Sequence, residues 1–223
     1  MTAKKQFRSV WLLLAGFCAL AVLVLISCWL SIARLPDNLG RVLTGEEKAA
    51  VLRRNSPLIE YAKLTTNADF PRTDTIRKIT IHHMAGNLSL EKTGEIFSDA
   101  DRKSSANYAI DSQGRVAIYV EEANRAWTSG SKENDSQAVT IEVANDEIGG
   151  DWHVSDQAYQ TLIALCTDIC RRNGIASLDY TGDAQGSLTT HKMFATTECP
   201  GPYLEGQMEK IAQTVNRSLS SSK

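Results

Sequence analysis

From Ser9 to Ala33 the chain carries no charge, and the centre of that stretch, VWLLLAGFCALAVLVLISCWL, is almost wholly apolar. About 20 such residues span a bilayer as a helix, so the pattern predicts a membrane anchor over 9–33. From Ile76 onward the rhythm changes to that of a folded α/β domain. IRKITIHH sets Ile79 and Ile81 against Thr80 and His82, a period of two that predicts a strand. SLEKTGEIFSDADRKS predicts a helix capped by Ser89. NYAIDSQGRVAIYV reads as two strands around a glycine-containing turn, and AVTIEVAN as a further strand. VSDQAYQTLIALCTDICRRNGI has Ser155 as N-cap, basic residues in its last turn and Gly174 as C-cap. YLEGQMEKIAQTVNRSL predicts a closing helix. The expected fold is α/β: one domain with a central mixed sheet flanked by helices, preceded by a transmembrane helix.

Between anchor and domain, residues 34–73 read as a stalk. It contains one short helix, TGEEKAAVLRR, whose acidic first turn and basic last turn suit the helix dipole. A Ser-rich tail is expected over 219–223.

Charge orients this arrangement. Lys4, Lys5 and Arg8 precede the apolar run and only Arg34 follows it, so the positive-inside bias leaves residues 1–8 in the cytoplasm and the domain outside. The segment's one A-x-A triplet, Ala19–Ala21, lies inside the apolar run instead of after it and does not read as a cleavage site. LISC, ending at Cys28, resembles a lipoprotein box, but the apolar run continues through Trp29, Leu30 and Ile32, which favours an uncut anchor. Net charge is −2 over 223 residues. The three cations before residue 34 leave −5 for the remainder, which argues against nucleic acid as a partner. Cys166 and Cys170, i and i+4 in a predicted helix, read as buried thiols rather than a disulfide. Nothing in the pattern calls for more than a monomer.

The candidate chemistry lies at strand ends. His82 and His83 close a strand just before the loop start MAGN, where site residues gather. Downstream, THKMFATTECPGP places His191 and Cys199 eight residues apart in a turn-rich segment. Imidazoles and a thiolate are ligand types zinc prefers, and three protein ligands leave a fourth position open, the mark of a catalytic site. His153 lies in a different loop and reads as a surface residue.

ITIHHMAG, SANYAIDSQGRV, RAWTSG, AVTIEVAND and LTTHKMFATTECPGPYL occur in order over about 130 residues. Together they resemble the zinc-dependent N-acetylmuramoyl-L-alanine amidases, the family that includes phage T7 lysozyme and the peptidoglycan recognition proteins. The resemblance covers Ile76 to roughly Val215 and implies an amidase domain over 74–218 with peptidoglycan as partner. It also implies a zinc ion on His82, His191 and Cys199. Strand alternation agrees on the first ligand, since His82 shares a face with Thr80 while His83 sides with Ile79 and Ile81. By the same resemblance Glu142 is the general base, Tyr108 lies beside the metal-bound water, and Thr197 contacts the developing oxyanion. Some members carry lysine where Thr197 stands. Trp127 and Asn107 are expected to touch substrate. Read without the family, Tyr108 is a packing strand residue, Glu142 a solvent-facing one, Thr197 a turn cap and Cys199 a buried thiol.

Three other readings stand beside this one. The chain can be a non-catalytic peptidoglycan receptor on the same fold, although all three ligand types are present. It can be a zinc peptidase cutting the stem peptide. A copper electron-transfer site is disfavoured because no histidine follows Cys199.

Overall fold

The computed structural model describes residues 36–221. The expected anchor over 9–33, with Cys18 and Cys28, and the last two residues of the tail lie outside them. No helix among the described residues is long and apolar enough to cross a membrane.

The first surprise comes before the predicted domain. Helix α1 (Gly45–Arg54) forms where the sequence places it, but it is not a free stalk. Leu43 and Val51 are buried, and the chain continues into strand β1 (Ile59–Ala62), with Ile59, Ala62 and Leu64 in the same core. A short strand β2 (Ala68–Asp69) follows. Among the described residues, those from Asp37 onward form one compact unit. Its apolar residues at helical spacing needed a partner surface, and the sheet supplies it.

Strand β3 (Lys78–His83) comes next, then helix α2 (Leu90–Ser98), whose N-cap Ser89 Oγ accepts from Lys92 N at 3.2 Å. Strands β4 (Tyr108–Ile110) and β5 (Val116–Ile118) form the expected antiparallel hairpin. Its turn is held by Asp111 Oδ1, which accepts from Gln113 N and Arg115 N. Gly114 sits there at φ +80, where an added Cβ would lie 2.9 Å from Thr161 Oγ1. Both the backbone angle and the close approach require glycine.

Strand β6 (Arg125–Ala126) pairs with β2 in a separate ribbon. Helix α3 (Lys132–Gln137) leads into β7 (Ala138–Val143). Helix α4 (Asp156–Asn173) carries the expected caps: Ser155 Oγ accepts from Ala158 N at 3.1 Å, and Gly174 ends it at φ +69. Strand β8 (Leu188–Thr190) and helix α5 (Gly201–Ser220) complete the chain. Of the expected Ser-rich tail, Leu219 and Ser220 end α5 and Ser221 caps it.

The main sheet runs β1-β5-β4-β7-β3-β8. β3 lies between β7 and β8, parallel to both, and the hairpin reverses direction, so the sheet is mixed as expected. Ile79, Ile81, Tyr108, Ile110, Ile141 and Val143 face one side and pack with Leu162, Ile169, Leu204 and Ile211 from α4 and α5. On the other side Ala109, Ala117 and Tyr119 pack with Leu90 and Phe97 of α2. Each fully buried aliphatic side chain contributes about 1.5–3 kcal/mol to this arrangement. Cys166 and Cys170 are buried free thiols within it. Beyond the end of Phe97's helix the α2 face of the sheet is open, and the chemistry lies there.

Candidate active site

Register places the first two groups. His82 on β3 is the direct neighbour of Glu142 on β7, and Thr80 of Thr140. All four point to the α2 face, away from Ile81 and Ile141. The period of two thus separates the histidine doublet as expected. His82 is 1% exposed, and its Nε2 has no hydrogen-bond partner. His83 turns to the other side, its ring edge-on to Trp152 at 5.3 Å. There Gly201 leaves room: a Cβ would stand 3.1 Å from His83 Nδ1.

The edge strand β8 delivers the second imidazole. Thr190 pairs with Ile81, so the 3-10 turn that follows, His191–Met193, begins beside the end of β3. The His82 and His191 rings lie 4.7 Å apart at 49°. The chain then loops back, with Lys192 N donating to Cys199 O at 3.1 Å. Cys199 Sγ accepts from the His83 backbone N–H at 3.4 Å. Ligand atoms of His82, His191 and Cys199 all lie within 4.8 Å of one another.

The electrostatics suit a cation. Burial, aided by His191 and His83, holds His82 well below the ordinary histidine range. Burial also lowers His191, against the pull of Asp135. Both rings are therefore neutral at pH 7, with a lone pair each to offer. Burial, then Glu142, pushes the Cys199 thiol strongly upward. Only a cation would draw off that proton. An orphaned imidazole nitrogen, a second neutral imidazole and a thiol converging on one point fit zinc as a donor set.

Glu142 is half-buried at the edge of this cluster, and its Oε2 is sealed from solvent without a partner. Loss of water raises its carboxyl to about 8. A carboxyl poised near neutrality beside a cation site can take and return a proton.

A groove of about 270 Å³ includes Glu142 and His191 in its lining. Trp127 lines it, and its Nε1 donates to Asp69 Oδ1 at 2.8 Å. Arg125 pairs with the same carboxylate. Phe97 and Met84 line it too. The sequence reading missed both, along with Arg102 and Asp135. Asp135 accepts from the backbone N–H groups of Thr128 and Ser129, fixing the loop beside Trp127. No spacing motif marks these residues; only the tertiary fold assembles them.

Of the expected catalytic and substrate-binding residues, three do not line the groove. Tyr108 pairs with Ile141 and therefore faces the α4–α5 side. Its hydroxyl donates to Glu122 Oε1 at 2.6 Å and accepts from Ser56 N at 3.2 Å. This corrects its placement beside the metal: β4 alternation aims Ala109, not Tyr108, at the α2 face. Asn107 is fully buried, its Nδ2 donating to Val120 O and its Oδ1 accepting from Thr140 N, so it staples three strands instead of meeting substrate. Thr197 Oγ1 accepts from Cys199 N at 3.2 Å, drawn into the turn that presents the thiol. It does not line the groove. His153 pairs with Asp146 on the surface, and Lys192 with Glu205.

A family profile described as N-acetylmuramoyl-L-alanine amidase matches residues 72–202. Among solved structures, the chain is similar to the Staphylococcus aureus hydrolase AmiA, in complex with its ligand, at TM-score 0.57. Identity there is 13%, over 79% of this chain and 91% of that one. It is similar to PlyL at TM-score 0.55 and 18% identity, over 69% of this chain and 94% of that one. The Clostridium intestinale endolysin amidase LysCS matches at TM-score 0.50 and 21% identity, over 71% and 97%. No curated protein matches the chain.

Proposed function

Because this chain belongs to the N-acetylmuramoyl-L-alanine amidase family, we propose that it performs the family's reaction with zinc on His82, His191 and Cys199 and with Glu142 as proton carrier. That reaction hydrolyses the amide bond between N-acetylmuramic acid and L-alanine in peptidoglycan. The observation that carries the assignment is the pair of orphaned atoms on neighbouring strands, His82 Nε2 and Glu142 Oε2. Each is buried at a cost unless a ligand or a reaction uses it.

Zinc, when bound, supplies Lewis acidity toward the scissile carbonyl and brings the pKa of water to about 7. The chain's own residues do the rest. His82 and His191 donate neutral lone pairs, and Cys199 loses its proton to become a thiolate, steadied by the His83 N–H. Glu142 takes the proton from the attacking water and returns it to the leaving amine nitrogen, so one carboxyl serves as base and then acid. Trp127, fixed by Asp69, and Phe97 confine the substrate and help exclude water.

The same reading extends to location: the apolar segment 9–33, with its preceding cations, tethers the domain outside the membrane. Protease accessibility in intact cells tests that part. The chemistry is tested by digesting purified cell wall with zinc-loaded protein. New L-alanine amino groups and free muramoyl carboxylates are expected. Products cut within the stem peptide, or none despite bound zinc, would replace the amidase by one of its rivals.

A further inference from the structure

The groove beside the metal ligands has an uneven chemistry. Met84, Leu88, Ile96, Phe97 and Trp127 give it apolar surface, and Thr93, Ser104, Ser105 and Thr128 add uncharged polar groups. Arg102 is its one lysine or arginine, and Glu142 its one acid. Arg102 stands in the 3-10 turn Ala100–Arg102 that follows α2. Its side chain is exposed, and among the described residues no acidic group pairs with it. Asp99 and Asp101 share the turn, but neither lines the groove: Asp99 Oδ1 accepts from Asp101 N. The turn is held in place from below. Asn67 Nδ2 donates to Phe97 O at 3.1 Å and to Asp99 O at 2.8 Å. A guanidinium that lines a groove rich in apolar side chains, on a braced turn and with no internal partner, asks for an anion carried on a partly apolar chain.

Resting on the reaction assigned above, we propose that Arg102 is a specificity residue for the stem peptide and pairs with the free α-carboxylate of its second residue. The two halves of the substrate differ in the way this requires. The glycan side is uncharged and presents hydroxyl and acetamido groups, which call for amide-rich polar walls. The peptide side begins with a methyl-bearing L-alanine and continues with a D-glutamate linked through its γ-carboxyl, leaving an α-carboxylate free. A groove that joins apolar side chains to a single cation suits that combination. Walls in which this carboxylate is amidated present a neutral carboxamide, which accepts only ordinary hydrogen bonds from Arg102. The slot therefore reads one chemical mark, carboxylate against amide, two residues from the bond that breaks.

The test uses the full-length, zinc-loaded protein in mild detergent and two soluble muramoyl peptides that differ only in that group. The carboxylate form should be cleaved with a kcat/KM about 3- to 10-fold higher, through KM, the range expected of a partly exposed charge-assisted contact. Arg102→Ala should bring the two substrates together by weakening the acid form alone, and Arg102→Lys should keep part of the preference. Lys103→Ala removes a neighbouring exposed cation that does not line the groove, and should leave the ratio unchanged. A ratio near one in the wild type, or one that survives Arg102→Ala, overturns the subsite while leaving the reaction standing. Equal losses from Arg102→Ala and Lys103→Ala overturn it too, in favour of diffuse attraction. Cleavage of neither substrate by the wild type removes the reaction, and the subsite with it.

Discussion

His82 and Glu142 are register partners on adjacent parallel strands, and each holds a buried polar atom that nothing in the protein satisfies. For Glu142 this has two consequences of opposite sign. In the proposed role of proton carrier it serves turnover, so Glu142→Gln should lower kcat by about 10²–10⁴-fold. As a buried carboxyl it burdens the fold.

The pH dependence follows from the direction of that shift. The folded carboxyl titrates near 8, against an ordinary 4.5. Folding therefore takes up a proton between those values, and metal-free stability falls as pH rises through the window. Below about 4.5 the contribution is fully present; above about 8 it is gone. Glu142→Gln is neutral throughout and should lack this slope, melting higher than the wild type at pH 8 and alike at pH 4.5. Thermal melts of the metal-free proteins across that range check it. Identical slopes would mean that Glu142 is solvated.

The histidine doublet gives a cleaner contrast. His82→Ala removes a ligand whose lone pair points into the cluster, so zinc content should fall well below one per chain. His83→Ala keeps the backbone N–H that reaches Cys199 Sγ and should retain the metal, losing only packing against Trp152. Cys199→Ser should bind more weakly than the wild type, because zinc prefers a thiolate to a hydroxyl. Metal analysis after dialysis reads all three. Zinc loss confined to His83→Ala would reverse the ligand assignment.

Tyr108 offers the reverse test, a residue whose family-based role the fold denies. Its hydroxyl joins Glu122, which also accepts from Arg172 and Asn173, far from the groove face. Tyr108→Phe leaves Ser56 N–H without its acceptor and should cost about 1–3 kcal/mol. That corresponds to roughly 2–10 °C in Tm for a chain of this size. Well below the melting range, kcat/KM should be unchanged. A large loss of kcat with an unaltered Tm would restore Tyr108 to the chemistry.

What could be read from the chain and what could not divide along a physical line. Ser89, Ser155 and Gly174 were legible because a cap satisfies backbone groups within one turn of itself. The facing of His82 was legible because alternation is a property of one strand. Tyr108 was misplaced because alternation gives two faces but not which one turns to the site; that depends on register with β7. The stalk was misread for a related reason. GEEKAAVLRR is polar enough to stand alone, and only Val51, fully buried, betrays that the helix docks. Arg102, Phe97 and Asp135 meet the site across long sequence separations, with no local pattern to announce them.

That misread segment carries the last prediction. Residues once assigned to a spacer brace the groove from outside the catalytic strands: Asp69 holds Trp127, and Asn67 holds the end of α2. Asn67 is 3% exposed and donates to two carbonyls in that turn, with Ser105 Oγ donating to its own carbonyl. Asn67→Ala removes these bonds while Phe97 O keeps Thr65 Oγ1 and Asp99 O keeps the Arg102 N–H, so it should cost about 0.5–1.5 kcal/mol. Because the loss falls on the turn bearing Arg102 and not on the metal ligands, KM should rise while kcat and zinc content stay near wild type. Amide exchange should quicken around residues 97–104 before it does in β3 or β7. Loss of zinc, or uniform exchange across the sheet, would show that the segment supports the whole fold instead of the groove alone.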